Sequence, residues 1–465
     1  MRPNILWICT DQQRYDTIGA LNNPHLRTPN IDRLVATGVS FERAYCQSPI
    51  CTPSRASFLT GMYPSSVHGC GNGNAYWAEA APLVTALLAD GGYDCALAGK
   101  LHLAGAEGRI EPRPQHDGYR VFHWSHGPHA RWESGHDYAD WLQQQGRELA
   151  EMLEHPQDTP PELHQTAWCT DRAIDFIEAD HAGKPWLMSV NIFDPHSPFD
   201  PPQPYMDRFD PEAMPGPKFR ESDLAAQAKL SQIDFQTKAR RPEAFDAKRI
   251  QAAYYAMIEQ IDDNVGRMMK ALEGSGQLEN TVVIFTSDHG ETLGDHGLLL
   301  KGCRFYEGLV RVPLIISWPG QFLQNVRRKG LVELIDIAPT LLELAGVPVP
   351  KRMQGMSLRN LLMDTEAADH HRDFARCEYY HALNPAVREG INGAYATMLR
   401  DDRYKLVVYH GHGIGELFDL ERDPDEFDNL WDDAAKTETK LSLMQLSFDA
   451  LALATDTGPE QVTGH

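Results

Sequence analysis

Cys51-Thr52-Pro53-Ser54-Arg55, followed by Leu59-Thr60-Gly61, joins a nucleophile to a cation four residues on. Pro53 suits the first turn of a helix and Gly61 suits the position just past its end. Cys51 is therefore expected at or just before a helix N-terminus. Free backbone N–H groups and the helix dipole favour an anion there, and they lower a thiol pKa. A reactive, unmodified cysteine is one reading of the position. Arg55, one turn along, can point back toward residue 51, while a plain surface arginine is the alternative.

Other groups of the same chemical kind lie on both sides. Asp11-Gln12 comes first, then Lys100-Leu101-His102 and Asp194-Pro195-His196, then Ser287-Asp288-His289-Gly290 and Lys301. Asp288 and His289 could both reach a metal through oxygen and imidazole donors. Lys100 and His102 would share one face if the segment stays extended, because side chains alternate with period two. A cation beside an imidazole suits an anionic ester, one group binding charge and the other moving a proton. Taken singly, each has a plainer reading as a capping Asp, an exposed Lys or a loop His.

The elements that must position these residues can be read from apolar runs. Residues 4–10 form a continuous run, as a strand buried on both faces does, and Thr281 to Thr286 and Trp186 to Phe193 form two more. Tyr93 to Ala98 is a fourth. Ser40 to Tyr45 reads as a further short strand, and every candidate residue falls at a strand end or in the loop after it, where open α/β sheets place ligands. Helices are expected from Thr28-Pro29 to Gly38, Pro82 to Ala89, His164 to Ala182, Asp246 to Leu272 and Val332 to Ala345, with Pro339 kinking the last. Residues 110–165 are rich in His and Trp (His123, Trp124, His126, His129, Trp132, His136, Trp141) and read as a lid or substrate loop. Residues 197–245 read as a long surface connection.

Near residue 370 the pattern changes to short alternating strands, Tyr395 to Leu399, Tyr404 to Tyr409 and Glu416 to Leu420, then a helix from about 434 to 453. The fold expected is α/β, a large, mostly parallel central sheet flanked by helices over 1–370, with a smaller C-terminal α+β subdomain of antiparallel strands and a helix over 371–465.

The net charge of −22 argues against a nucleic-acid binder, which needs a basic face for phosphates. It also means that cations for an anionic substrate must be gathered locally. The N-terminal run is too short to span a bilayer and lacks a basic region and a cleavage site before it, so a cytoplasmic protein without membrane association is expected. The eight cysteines form no CxxC pair and are expected to be mostly free thiols.

In order and spacing these motifs resemble the type I, formylglycine-dependent sulfatases of the alkaline-phosphatase-like superfamily. CxPxR followed by Leu-Thr-Gly carries the resemblance, which spans most of the chain. The resemblance implies that Cys51 is oxidised by a formylglycine-generating maturation enzyme to 3-oxoalanine (formylglycine), whose hydrate is the nucleophile. It implies one divalent metal, most often Ca2+ with Mn2+ or Mg2+ as alternatives, held by Asp11, Gln12, Asp288, His289 and the modified residue 51. Arg55 would hold the hydrate, and His102 would meet its second hydroxyl. Lys100, Lys301 and His196 would contact the sulfuryl and leaving-group oxygens.

The implied activity is release of sulfate from an aryl or carbohydrate sulfate ester. One hydroxyl of the hydrate attacks sulfur, an acid protonates the leaving alcohol, and the other hydroxyl then expels sulfate by C–O cleavage. Gln12 is a departure, since many sulfatases have a second Asp there. Asp-Gln also occurs in phosphonate monoester hydrolases that share the formylglycine, so a phosphonate monoester or phosphodiester hydrolase is the second reading. A non-catalytic anion-binding protein on the same fold is the third. Phosphomutase-like relatives use Ser or Thr and two metals, which Cys51 argues against.

Overall fold

The computed structural model describes residues 2–106, 110–127, 136–367, 369–383, 393–457 and 463. Nine strands form one sheet: β1 (Asn4–Thr10), β2 (Gly38–Tyr45), β3 (Asp94–Gly99), β4 (Val121–Trp124), β5 (Trp186–Asn191), β6 (Thr281–Ser287), β7 (Arg311–Val312), β8 (Leu314–Ser317) and β9 (Val326–Glu333). Their order is β4-β3-β5-β1-β6-β8-β2-β7, with β9 also paired to β2. The first five in that order are mutually parallel, so their C-terminal ends share one edge. Register is set at the centre, where Ile8 of β1 faces Val190 of β5 on one side and Phe285 of β6 on the other.

β1 shows why a central strand is apolar throughout. Ile5, Trp7 and Cys9 point to one face and pack with Phe58 and Leu341, while Leu6 and Ile8 point to the other and pack with Trp168, Ile261 and Val265. Helices therefore cover both faces. The Cys51–Thr60, Val84–Asp90 and Ile337–Ala345 helices lie on the first, and the Pro29–Thr37, Gln165–Ile177 and Ala247–Gly274 helices on the second.

A second sheet of four antiparallel strands follows: β10 (Ala375–Tyr380), β11 (Tyr395–Arg400), β12 (Tyr404–Tyr409) and β13 (Ile414–Asp419), in that spatial order. The Thr437–Leu453 helix packs on it through Leu443 and Ala450. Cys377, Tyr379, Met398 and Val407 of this sheet join the same apolar cluster as Ile5 and Trp7.

Several local expectations need correction. Val332 is not helical, because β9 continues to Glu333 and the helix starts at Ile337. Pro339 then falls in the first turn, where no intrahelical acceptor exists for its missing N–H, so it is compatible with a straight helix. Thr28 does not cap its helix. Its Oγ1 accepts from Gly19 N and donates to Asp32, and the free N–H groups of Asn30 and Ile31 bond instead to the Asp262 carboxylate. Residues 110–165 are no single loop, since β4 and the Asp137–Gln144 and Leu149–Glu154 helices lie within them. His129 and Trp132 lie outside the described residues. The 197–245 stretch holds the Gln203–Met206 and Glu221–Lys229 helices.

Candidate active site

Four parallel strands deliver the candidate residues to one edge. β1 ends at Asp11-Gln12, β6 at Asp288-His289, β3 at Lys100 and His102, and β5 at Asp194-Pro195-His196. Cys51 is the first residue of its helix, and all ten residues of that helix are buried. Asn72 Oδ1 accepts the Thr52 N–H at 2.9 Å, which fixes the first turn.

Lys301 Nζ donates to Cys51 Sγ at 2.8 Å, and His289 Nε2 lies 3.2 Å from the same sulfur. His289 Nδ1 donates to the Gly290 carbonyl at 2.8 Å, which turns Nε2 toward the site. Arg55 binds Asp288 Oδ2 at 2.9 Å, the Lys100 carbonyl at 2.8 Å and Asp11 Oδ2 at 3.5 Å. It thus ties the two carboxylates to the lysine loop from beneath residue 51. Lys100 Nζ pairs with Asp11 Oδ2. His196, half-buried at the β5 end, bonds through Nδ1 to the Ser197 carbonyl at 2.6 Å.

The expected extension of residues 100–102 does not occur. β3 stops at Gly99, whose φ is +105° and whose added Cβ would lie 2.0 Å from the Asn191 carbonyl oxygen. His102 follows with φ +59°, the left-handed region unusual for a histidine. This turn, not strand alternation, sends both Lys100 and His102 toward Cys51.

The electrostatics reflect this gathering of cations. Burial alone would raise the Cys51 thiol, but Lys100, Lys301 and His289 outweigh it and hold it well below the ordinary thiol range. Burial would likewise raise Asp11, and Cys51 adds to that, yet Lys100, His196 and Lys301 keep it below the usual carboxylate range. Burial would lower Lys301, but Cys51, Asp11 and Asp288 raise it. Burial and then Lys100 push His102 down to about 3, so it is a neutral imidazole at physiological pH.

Donor atoms of Asp11, Cys51, Asp288 and His289 all lie within 4.8 Å of one another, and all four residues are buried. Gln12 Oε1 is a buried acceptor without a hydrogen-bond partner among the described residues. Leaving such an oxygen unsatisfied costs about 1–3 kcal/mol. Two carboxylates, an amide oxygen and an imidazole suit a hard divalent cation, which would satisfy that oxygen. The residues present fit a metal.

Sequence reasoning passed over two buried carboxylates. Glu291 accepts from Gln12 Nε2, and Glu111 accepts the backbone N–H groups of His102 at 2.6 Å and Ala104 at 3.0 Å, with that of Leu103 as well. Glu291 stands two residues past His289, a position that could have signalled it. Glu111 lies in a stretch with no pattern to mark it.

A mostly parallel sheet with this cluster at its strand ends is an alkaline-phosphatase-like fold. The sulfatase family pattern matches residues 3–347, and that of the N-sulphoglucosamine sulphohydrolase C-terminal region matches 294–450. The arylsulfatase of Clostridium perfringens (strain 13 / Type A) is 31% identical over 458 residues, which cover 92% of this chain and 90% of that protein. The multifunctional alkaline phosphatase superfamily protein PehA of Trinickia caryophylli is 31% identical over 484 residues, covering 93% and 92%. The phosphonate monoester hydrolase of Agrobacterium radiobacter superposes with a TM-score of 0.82 at 27% identity, covering 98% of this chain and 96% of that one. The chain belongs to the sulfatase family, and it is an enzyme that hydrolyses sulfate esters. Among the described residues no helix is long and apolar enough to cross a membrane.

Proposed function

We propose that this enzyme cleaves aryl or carbohydrate sulfate esters through a formylglycine derived from Cys51, beside one divalent metal. The observation that carries this reading is the convergence of Lys301, Lys100 and His289 on Cys51 at a helix N-terminus. An unmodified sulfur there stands where the hydrate oxygens of formylglycine would be. The hydrate would supply one hydroxyl to attack sulfur and a second to expel sulfate by C–O cleavage.

The chain's own residues account for the rest. Lys301 and Lys100 bring positive charge against the sulfuryl oxygens, where charge must be offset as the nucleophile arrives. Arg55 holds Asp11 and Asp288 in place while adding charge beneath residue 51. His102, neutral and in contact with residue 51, is placed to take a hydrogen bond from the second hydroxyl. His196 protonates the leaving oxygen, its ring oriented by the Ser197 carbonyl. Asp11, Gln12, Asp288, His289 and residue 51 would hold the metal, Ca2+ first and Mn2+ or Mg2+ as alternatives, which would polarise a sulfuryl oxygen as a Lewis acid.

Gln12 favours a second reading, a phosphonate monoester or phosphodiester hydrolase with the same nucleophile, and the 27% identity to a phosphonate monoester hydrolase is consistent with it. Two tests address the proposal. Peptide mass and aldehyde-reactive labelling at position 51 report conversion by a maturation enzyme. Sulfate release from an aryl sulfate, lost on chelation and restored by Ca2+, reports the metal. An active protein that retains an unmodified thiol at position 51 would overturn the proposal.

A further inference from the structure

Gln12 sits at φ +69°, a strained backbone for a non-glycine residue. Three contacts hold it there. Its N–H donates to Asp288 Oδ1 at 3.1 Å, its carbonyl accepts from Tyr254 Oη at 2.6 Å, and its side-chain Nε2 donates to Glu291 Oε2. The remaining atom, Oε1, is buried and has no hydrogen-bond partner among the described residues.

Glu291 is itself fully buried. Its other oxygen, Oε1, accepts from Leu293 N at 3.0 Å, Thr292 Oγ1 at 3.2 Å and Leu300 N. Leu300 has φ +71° and immediately precedes Lys301. One carboxylate thus binds the Gln12 amide on one side and closes the 291–300 loop on the other.

An amide has a donor end and an acceptor end of nearly equal size, so its neighbours decide which end faces which way. Glu291 Oε2 faces Gln12 and accepts from its Nε2. It therefore demands the NH2 end of Gln12 and leaves the oxygen for the other side. We propose that Glu291 is a positioning residue that turns the Gln12 oxygen toward the metal and sets the loop presenting Lys301. This rests on the metal site proposed above. The chain has a neutral ligand at position 12, and Glu291 gives that ligand its polarity.

The inference makes a directional prediction. In Glu291→Gln the new amide keeps its oxygen on the Leu293 and Leu300 N–H groups and turns its NH2 toward Gln12. Two NH2 groups cannot bond, so Gln12 flips and points its own NH2 at the cation. Exchanging the two residues, Gln12→Glu with Glu291→Gln, restores the hydrogen bond with donor and acceptor reversed and returns an oxygen to the metal.

Calorimetric titration of chelator-stripped protein with Ca2+ and with Mn2+ tests this without reference to turnover. Glu291→Gln is expected to bind about 10–100-fold more weakly, the usual consequence of losing a partner that orients a ligand. The exchanged double variant should recover most of that loss and bind more tightly than Gln12→Glu alone, which carries the same added charge without the restored hydrogen bond and so separates orientation from charge. Wild-type affinity in Glu291→Gln, or a double variant no tighter than either single one, overturns the inference. Asp288→Asn serves as the control for the site. If its binding is unchanged, the metal reading falls and the inference with it. If Asp288→Asn loses binding while Glu291→Gln does not, the inference alone falls. Should Glu291→Gln fail to fold, the double variant is read by itself. A folded protein that binds metal supports the inference, and one that is unfolded or metal-free overturns it.

Discussion

Lys301 Nζ lies 2.8 Å from Cys51 Sγ although 250 residues separate them in sequence. The ammonium is buried, and burial alone would favour its neutral form. The anionic groups around it, Cys51 first, hold it protonated. An acidic chain has thus placed a fixed positive charge where its anionic substrate must react. Lys301→Met keeps the stem and removes that charge. Its kcat on an aryl sulfate is expected to fall about 100–1000-fold, the usual cost of deleting one donor to developing charge. Thermal melts will show whether the fold is retained.

Cys51→Ser tests the nucleophile. A serine hydroxyl can be sulfated but has no second hydroxyl to expel sulfate by C–O cleavage. The variant should give at most one turnover, and intact mass should show a stable sulfate ester at position 51. Sustained multiple turnover would sink the hydrate mechanism.

Protein made without the maturation step offers a pH test of the cation cluster. The Cys51 thiol is held well below its ordinary range by Lys100, Lys301 and His289, which outweigh burial. Burial pushes Cys70 up to about 11 and Cys95 to about 12. Alkylation of Cys51 by a small reagent should therefore change less between about pH 6 and 8 than that of a thiol raised by burial. Labelling of Cys70, which is more exposed, should rise with pH over the same interval. Peptide mapping after timed labelling separates the two.

Asp200, beyond the β5 end, is pushed up to about 8 by burial and by Asp194. Its folded pKa exceeds its unfolded one, so the folded state binds more protons between the two values. Stability is then expected to fall as pH rises from roughly 4 toward 8. Asp200→Asn removes this dependence. It should raise the Tm at pH 8 and leave it nearly unchanged at acid pH.

Glu111→Gln would set an NH2 group against the N–H donors of residues 102–104. A destabilisation of about 1–3 kcal/mol is expected, together with a fall in kcat as the left-handed turn at His102 loosens. Denaturant melts and steady-state rates on one preparation check both.

The parts of this architecture that the sequence made legible are those fixed by local pattern. β1, β5 and β6 are buried on both faces, so their apolar runs announce them and their ends. The Cys51–Thr60 helix has Pro in its first turn and Gly61 at φ +66° after it, and both are readable. What stayed hidden depends on distant contacts. β9 and the Ile337–Ala345 helix adjoin in one apolar stretch, and only the pairing of β9 with β2 shows where the strand ends. His102 turns toward Cys51 because Glu111 and Gly99 bend the chain, which no periodicity records. The family resemblance pointed to Asp11, Gln12, Asp288 and His289, of which Asp11, Asp288 and His289 cluster with Cys51, but no pattern marked the carboxylate bonded to Gln12.

The most direct test compares kcat/KM for an aryl sulfate and a phosphonate monoester with the same leaving group. Both are run on one Ca2+-loaded preparation whose peptide mass confirms the aldehyde at position 51. The sulfate is predicted to be the better substrate, with its turnover scaling with the fraction of aldehyde. A higher kcat/KM for the phosphonate, or sulfate turnover independent of the aldehyde, would contradict the proposed formylglycine-dependent action on sulfate esters.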